Sequence, residues 1–166
     1  MGMNIHASCV VLARSAAAFD APGEAGILLL GPSGAGKSDL ALRLIAAGAE
    51  LVADDRTVLT VREEGLFASP PAELAGLLEV RNLGIVALSH WPEARISLVA
   101  ELGTAMAPDR LPVPERWATP PQLGLPEAFR PPLVRLNPFE ASAPVKIAIA
   151  AAAFARDLLR GAAGES

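Results

Sequence analysis

Apolar and polar positions along the chain alternate between two rhythms. Ile5–Leu12 is almost uninterruptedly apolar and reads as a first strand, with His6 near its start. Gly26-Ile27-Leu28-Leu29-Leu30 has no polar position at all, as expected of a strand buried on both faces. Ser38–Ala47 switches to a helical spacing, with apolar residues at 40, 41, 44 and 45, and Gly48 suits its C-terminal stop. Glu50-Leu51-Val52-Ala53 is a second short strand that ends abruptly in Asp54-Asp55. Thr57–Val61 and Leu66–Ala68 flank a turn at Arg62-Glu63-Glu64-Gly65, which predicts a hairpin. Pro70–Ala75 reads as a loop or short helix. Leu78–Arg81 and Gly84–Leu88 frame a further segment near the core, and Ile96–Leu102 reads as a strand.

After Leu102 the pattern changes. Ten of the 15 prolines fall in Pro108–Pro144, which excludes a long helix there. Surface loops with short strands, such as Leu133–Leu136, are expected instead. Pro144 precedes an alanine-rich apolar helix over about 145–160, and Gly161 and Gly164 point to a frayed tail. Ser15–Glu24 reads as a small-residue connection. Hairpin signals mixed with strand–helix signals predict an α/β domain with a mixed sheet, one domain over 1–166.

Composition narrows the function classes. With 52% hydrophobic and 19% charged residues among 166, the chain is expected to fold around a sizeable core. No charge-free apolar run is long enough to span a bilayer. The N-terminus shows no basic region of the secretory kind. The single cysteine, Cys9, lies in an apolar strand, which excludes an internal disulfide and points to a buried inert thiol in a reducing, cytoplasmic compartment. A net charge of −4 and no Lys/Arg cluster argue against a nucleic-acid partner.

The chemistry is concentrated in one segment. Gly31-Pro32-Ser33-Gly34-Ala35-Gly36-Lys37-Ser38 fits the phosphate-binding pattern G-x-x-x-x-G-K-[ST]. Backbone N–H groups of such a loop wrap a phosphate chain, the lysine reaches the terminal phosphates, and the serine hydroxyl ligates Mg²⁺. The flanking strand and helix aim a helix N-terminus at those phosphates. Phosphoryl transfer also needs metal ligands and a group that takes the acceptor's proton. Asp54-Asp55, at a strand end downstream of the loop, is the leading candidate pair. Adjacent carboxylates leave a strand in different directions, so one can face the γ-phosphate and the other the metal. Glu79, in the apolar setting Leu78-Glu79-Val80, is a candidate metal carboxylate. His90 reads as a loop residue, and Lys146 as a surface lysine with a phosphate-binding alternative.

Taken together, His6, the Gly31–Ser38 loop, Val52-Ala53-Asp54-Asp55 and Leu78-Glu79-Val80-Arg81-Asn82-Leu83-Gly84-Ile85 resemble, in order and spacing over roughly residues 4–102, the catalytic domain of the bifunctional HPr kinase/phosphorylase family. That family shares its phosphoenolpyruvate-carboxykinase-like P-loop fold. The resemblance implies ATP- and Mg²⁺-dependent phosphorylation of a seryl residue on HPr, the phosphocarrier of the sugar phosphotransferase system. It also implies phosphorolysis of seryl-phosphorylated HPr to pyrophosphate, and a homo-oligomer, often a hexamer. It places the proton-accepting role on Asp54, with Asp55 supporting it and the metal. Ser38 and Glu79 would hold Mg²⁺, Lys37 the β-phosphate region, and His6 would lie near the phosphates.

The chain departs from the family pattern at His6-Ala7 and Arg81-Asn82, where the family has H-G and R-G. The segment 86–95 is short and glycine-poor, leaving Arg95 as the stand-in for a functional arginine, and Glu140–Lys146 replaces a basic P-G-R-N. Without a separate N-terminal domain before His6, the expected likeness is to the short, catalytic-domain forms of alphaproteobacteria. The same residues are compatible with a P-loop small-molecule kinase or with a non-catalytic nucleotide sensor.

Overall fold

The computed structural model describes residues 2–12, 24–63, 65–104 and 110–160. The expected connection at 15–23, residue 64 of the predicted turn, Pro108, and the tail with Gly161 and Gly164 lie outside the described residues. Among the described residues, eleven strands and two α-helices are arranged so that one end of a central parallel strand pair carries the candidate chemistry.

The first apolar run is two strands rather than one: β1 (Met3–His6) and β2 (Ser8–Leu12). The chain breaks at Ala7, whose carbonyl accepts a 2.8 Å hydrogen bond from Thr57 Oγ1. β1 then pairs antiparallel with β5 (Arg56–Arg62), while β2 lies between β3 (Ala25–Leu30) and β4 (Glu50–Ala53), antiparallel to both. An apolar run cannot reveal this switch, because it does not say which neighbour each half pairs with. β5 turns into β6 (Gly65–Ser69), as the hairpin signal predicts.

β9 (Ala94–Leu102) is the organising strand. One edge runs parallel to β3, with Leu30 opposite Glu101. It also pairs antiparallel with β6 through Ala94 and Arg95, and parallel with β11 (Pro132–Leu136) through Val99–Leu102. The two-residue β10 (Glu115–Arg116) completes the sheet against β11. The parallel strands β3, β9 and β11 therefore all end at the same edge. In sheets of this kind, ligands bind outside the carboxyl ends of parallel strands.

Both faces of this sheet are covered, which explains the unbroken apolar runs. Val10, Ile27, Leu29, Leu98 and Ala100 point toward α1 (Lys37–Ala46) and α2 (Ala143–Arg156), where they meet Leu40, Ala41, Leu44, Ile147 and Ala151. Cys9, Val11, Leu28 and Val99 face the other way, toward Leu59, Leu66 and Leu133. The alternation within β2 and β3 is the period of two expected of strands. Burial pushes the Cys9 thiol pKa up, so it is an inert core side chain. Small residues at 143 and 151 let α2 pack closely; it starts two residues before its expected start and ends before its expected stop.

A separate two-stranded hairpin, β7 (Leu77–Val80) and β8 (Gly84–Ala87), stands beside α1. Its turn uses Asn82 with φ +67° and Gly84 with φ +117°, conformations suited to asparagine and glycine. Pro70–Ala75 contains a single 3₁₀ turn at Ala72–Leu74. Among the described residues, no helix is long and apolar enough to cross a membrane.

Candidate active site

The loop Gly31–Ser38 joins the carboxyl end of β3 to the first turn of α1. Gly36 closes the loop at φ +92°, a left-handed conformation, and no side chain caps the helix. Its first backbone N–H groups are thus left for an outside acceptor, the condition under which a helix N-terminus receives an anion. Gly34, at φ +78°, faces open space: a Cβ there would meet nothing within 4 Å. The loop borders a cleft of about 640 Å³, of a size suited to a nucleotide.

Lys37 is buried at 6% exposure, and its ammonium folds back onto the loop, donating to the carbonyls of Gly31 (2.6 Å) and Pro32 (2.9 Å). Burial lowers its pKa, a shift opposed by the carboxylates of Asp55 and Asp54. The lower pKa means that Lys37 loses its charge at a lower pH than an ordinary lysine near 10.5. Affinity for an inorganic polyphosphate should accordingly begin to fall on the alkaline side below that value. Calorimetric titration of the chain with tripolyphosphate between pH 7 and 10 checks this, and constant affinity up to 10 refutes it.

The two aspartates leave the end of β4 in opposite directions. Asp55 takes a left-handed φ of +63°, and the N–H of Arg56 donates to the carbonyl of Asp54 at 2.7 Å. This tight turn sends Asp54 inward and Asp55 outward. The Asp54 carboxylate is 4% exposed and has both oxygens occupied. Ser38 Oγ donates to Oδ1 at 2.8 Å, Ser8 Oγ to the same oxygen at 2.7 Å, and the backbone N–H of Glu79 to Oδ2 at 3.1 Å. Four chain segments thus meet on one carboxylate: the P-loop helix, β2, β7 and the end of β4. Asp55 is 62% exposed, lines the cleft, and lies 3.1 Å from His6 Nε2. His6 is brought there by the pairing of β1 with β5, in which it stands opposite Arg56.

The Glu79 side chain is exposed and also lines the cleft, so the predicted set His6, Lys37, Ser38, Asp55 and Glu79 borders one space, with Asp54 beneath it. Two side chains considered from the sequence stand elsewhere. Arg95 pairs with Phe67 at the amino end of β9, about 20 Å along the strands from the loop by the rise per residue. It cannot replace an arginine at the phosphates. Lys146 is exposed and paired with Glu140. Sequence reasoning missed Ser8, whose hydroxyl is invisible as a partner until β2 is placed beside β4. It also gave no role to Arg81, Asn82 and Phe139, which line the cleft. For Arg81 the signal was present in the Leu78–Ile85 segment.

The donor set fits a phosphate-bound magnesium ion. Mg²⁺ is usually held by substrate phosphates, water and only one or two protein oxygens. Here the Ser38 hydroxyl is oriented by Asp54, and the carboxylates of Asp55 and Glu79 border the same cleft.

A strand, a glycine-rich loop and a helix in this geometry, with a carboxylate buried against the loop serine, define a protein of the P-loop class. Residues 21–102 match the family model described as HPr Serine kinase C-terminal domain. Over these residues, about half of the chain, it is similar to that family's domain. A relative named HPr kinase/phosphorylase from Limosilactobacillus reuteri is 39% identical over 87 residues, covering 48% of this chain and 27% of the relative. One of the same name from Bordetella pertussis is 39% identical over 110 residues, covering 61% of this chain and 36% of the relative. The match thus spans only about a third or less of these relatives. The solved structure of the Hpr(Ser) kinase/phosphatase from Coxiella burnetii superposes with a TM-score of 0.67, covering 94% of this chain and 95% of that one at 22% identity, which shows a shared fold.

Proposed function

We propose that this chain transfers the γ-phosphoryl group of ATP to a seryl hydroxyl of the phosphocarrier protein HPr, and that it also catalyses phosphorolysis of the seryl-phosphorylated product. One observation carries the reading: Asp55 and His6 form an exposed pair on the cleft beside a P-loop whose serine is fixed by a buried aspartate, within a segment matching the HPr serine kinase family.

The geometry supports a distribution of roles that differs from the one the resemblance implies. The Asp54 carboxylate is buried and already accepts three hydrogen bonds, so it is turned away from the cleft. Its part is to orient the Ser38 hydroxyl and to tie the P-loop to β2 and β7. Asp55 faces the cleft and is the proton acceptor, oriented by His6. Lys37 leaves its loop carbonyls for the phosphate oxygens, and the free N–H groups of the loop and helix hold the rest of the chain of phosphates. Ser38, with Asp55 and Glu79, would hold Mg²⁺, which supplies neutralisation of phosphate charge when bound.

In the kinase direction Asp55 removes the seryl proton as the seryl oxygen–phosphorus bond forms. The bond between the γ-phosphorus and its bridging oxygen breaks, and ADP leaves. In phosphorolysis an oxygen of inorganic phosphate attacks the seryl phosphate, pyrophosphate forms, and Asp55 returns a proton to the departing seryl oxygen.

The test is transfer from γ-labelled ATP to purified HPr with Mg²⁺. Label should appear as phosphoserine on HPr and be absent from an HPr whose acceptor serine is alanine. ATP binding without transfer to HPr would remove the protein-kinase reading. Label on a metabolite instead would mark a small-molecule kinase.

A further inference from the structure

Phe139 is an exposed aromatic side chain that no part of the phosphate chemistry uses. It is 58% exposed, yet its position is fixed. It lines the same cleft as Lys37 and Ser38. Its ring edge lies against the backbone of Gly36, where a Cβ would stand 3.1 Å from both Cε1 and Cζ. The turn that carries it is tied to the first helix. Arg43, on α1, donates to the carbonyls of Pro138 and Glu140 and is itself paired with Asp39 at 3.0 Å. The N–H of Phe139 donates to Asn137 Oδ1 at 3.0 Å. A large apolar ring is thereby held at the mouth of a polar cleft, with a substantial part of its surface in water.

Topology says what the ring is for. The strand order across the P-loop edge is β11, β9, β3, β2, β4. The Phe139 turn follows β11, whereas Asp54 and Asp55 follow β4, so ring and carboxylates stand on opposite flanks of the loop. A phosphate chain laid along the loop has its transferable end toward Asp55 and His6. Its other end emerges beside Gly36 and Phe139. What is joined there in a nucleoside triphosphate is the sugar and its planar base.

We infer that Phe139 is the stacking platform for the nucleotide base. The inference rests on the reading of the cleft as a nucleotide site and adds the residue that holds the base. Every base offers a π-face, so an aromatic shelf discriminates poorly among them. ATP and GTP should therefore bind with similar affinity and depend on Phe139 alike.

The experiment is calorimetry of Mg²⁺ with ATP, with GTP and with inorganic tripolyphosphate, on wild type, Phe139→Ala, Phe139→Trp and Lys37→Ala. Loss of stacking is expected to weaken ATP and GTP about tenfold in Phe139→Ala, within the range found for base–aromatic contacts. Tripolyphosphate, which has no base, should bind the variant as it binds wild type. Phe139→Trp should retain nucleotide affinity, and Lys37→Ala should lose all three ligands. Equal weakening of ATP and tripolyphosphate in Phe139→Ala would mean that the ring only props up Gly36, and would overturn the inference. So would unchanged ATP affinity. A wild-type chain that binds neither ATP nor tripolyphosphate would overturn the nucleotide-site reading itself, and this inference with it.

Discussion

Replacing Asp55 by asparagine should reduce phosphoryl transfer to HPr by about 10²- to 10⁴-fold, the range in which a positioned proton acceptor contributes. The fold should survive intact. Asp55 is 62% exposed, and its pair with His6 is a surface interaction, worth at most about 1 kcal/mol. Its φ of +63° is a conformation that asparagine tolerates as well as aspartate does, so the turn that separates the two carboxylates is retained. Asparagine keeps the shape and the hydrogen-bonding oxygen but cannot accept the seryl proton. ATP affinity measured without Mg²⁺ should be equal or better, because one negative charge has left the phosphate end of the cleft. The checks are single-turnover transfer from labelled ATP, calorimetric ATP binding and urea unfolding on the same variant. A transfer rate within a few fold of wild type would remove Asp55 from the chemistry.

The contrast between neighbouring aspartates shows where a sequence stops being informative. Strand character before Asp54-Asp55 was legible in Leu51-Val52-Ala53, and so was the likelihood that the two side chains diverge. Which of them turns inward was not legible, because it depends on a left-handed residue at 55 and on donors from three other segments. The P-loop and its helix were readable almost to the residue, since glycine spacing and helical periodicity are local properties. Local signals also gave the β5–β6 hairpin. The division of 5–12 into two strands on different neighbours was hidden for a plain reason: every side chain in Ser8–Leu12 is buried, and uniform burial carries no mark of the partner. The same limit applies to Phe139. In the sequence it is one aromatic residue in a proline-rich stretch, and only the pairing of β11 with β9 brings it to Gly36.

These placements make the cleft directional. Phe139 lies at one end, the loop and Lys37 along the floor, and Asp55 with His6 at the other. The hairpin β7–β8 forms a wall, contributing Glu79, Val80, Arg81 and Asn82. That wall is not hydrogen-bonded into the main sheet. One of its ties to the floor is the N–H of Glu79 on the Asp54 carboxylate. The position of the wall and the orientation of the loop serine therefore depend on the same buried group.

Asp54→Ala should for that reason be the most destabilising single change at the site, by about 2–4 kcal/mol. Three donors now converge on the carboxylate, and a buried donor left without a partner costs about 1–3 kcal/mol. The sum is reduced because the two serine hydroxyls can rotate toward other acceptors and because burying the carboxylate was itself costly. The backbone N–H of Glu79 has no such freedom. Against a total stability of about 5–15 kcal/mol for a domain of ordinary size, a loss of this order is large. It should appear as a lower urea midpoint with an unchanged slope, followed by the fluorescence of Trp91 and Trp117. Asp54→Asn should lose less, because its amide oxygen still accepts while its NH₂ group confronts a donor. The comparison with Asp55→Asn separates the two carboxylates. The exposed one should cost rate with little stability, and the buried one should cost both, since Ser38 loses its orientation along with the fold. Equal urea midpoints for wild type and Asp54→Ala would show that the carboxylate does not bind these four segments together, and the division of labour between the aspartates would fall with it.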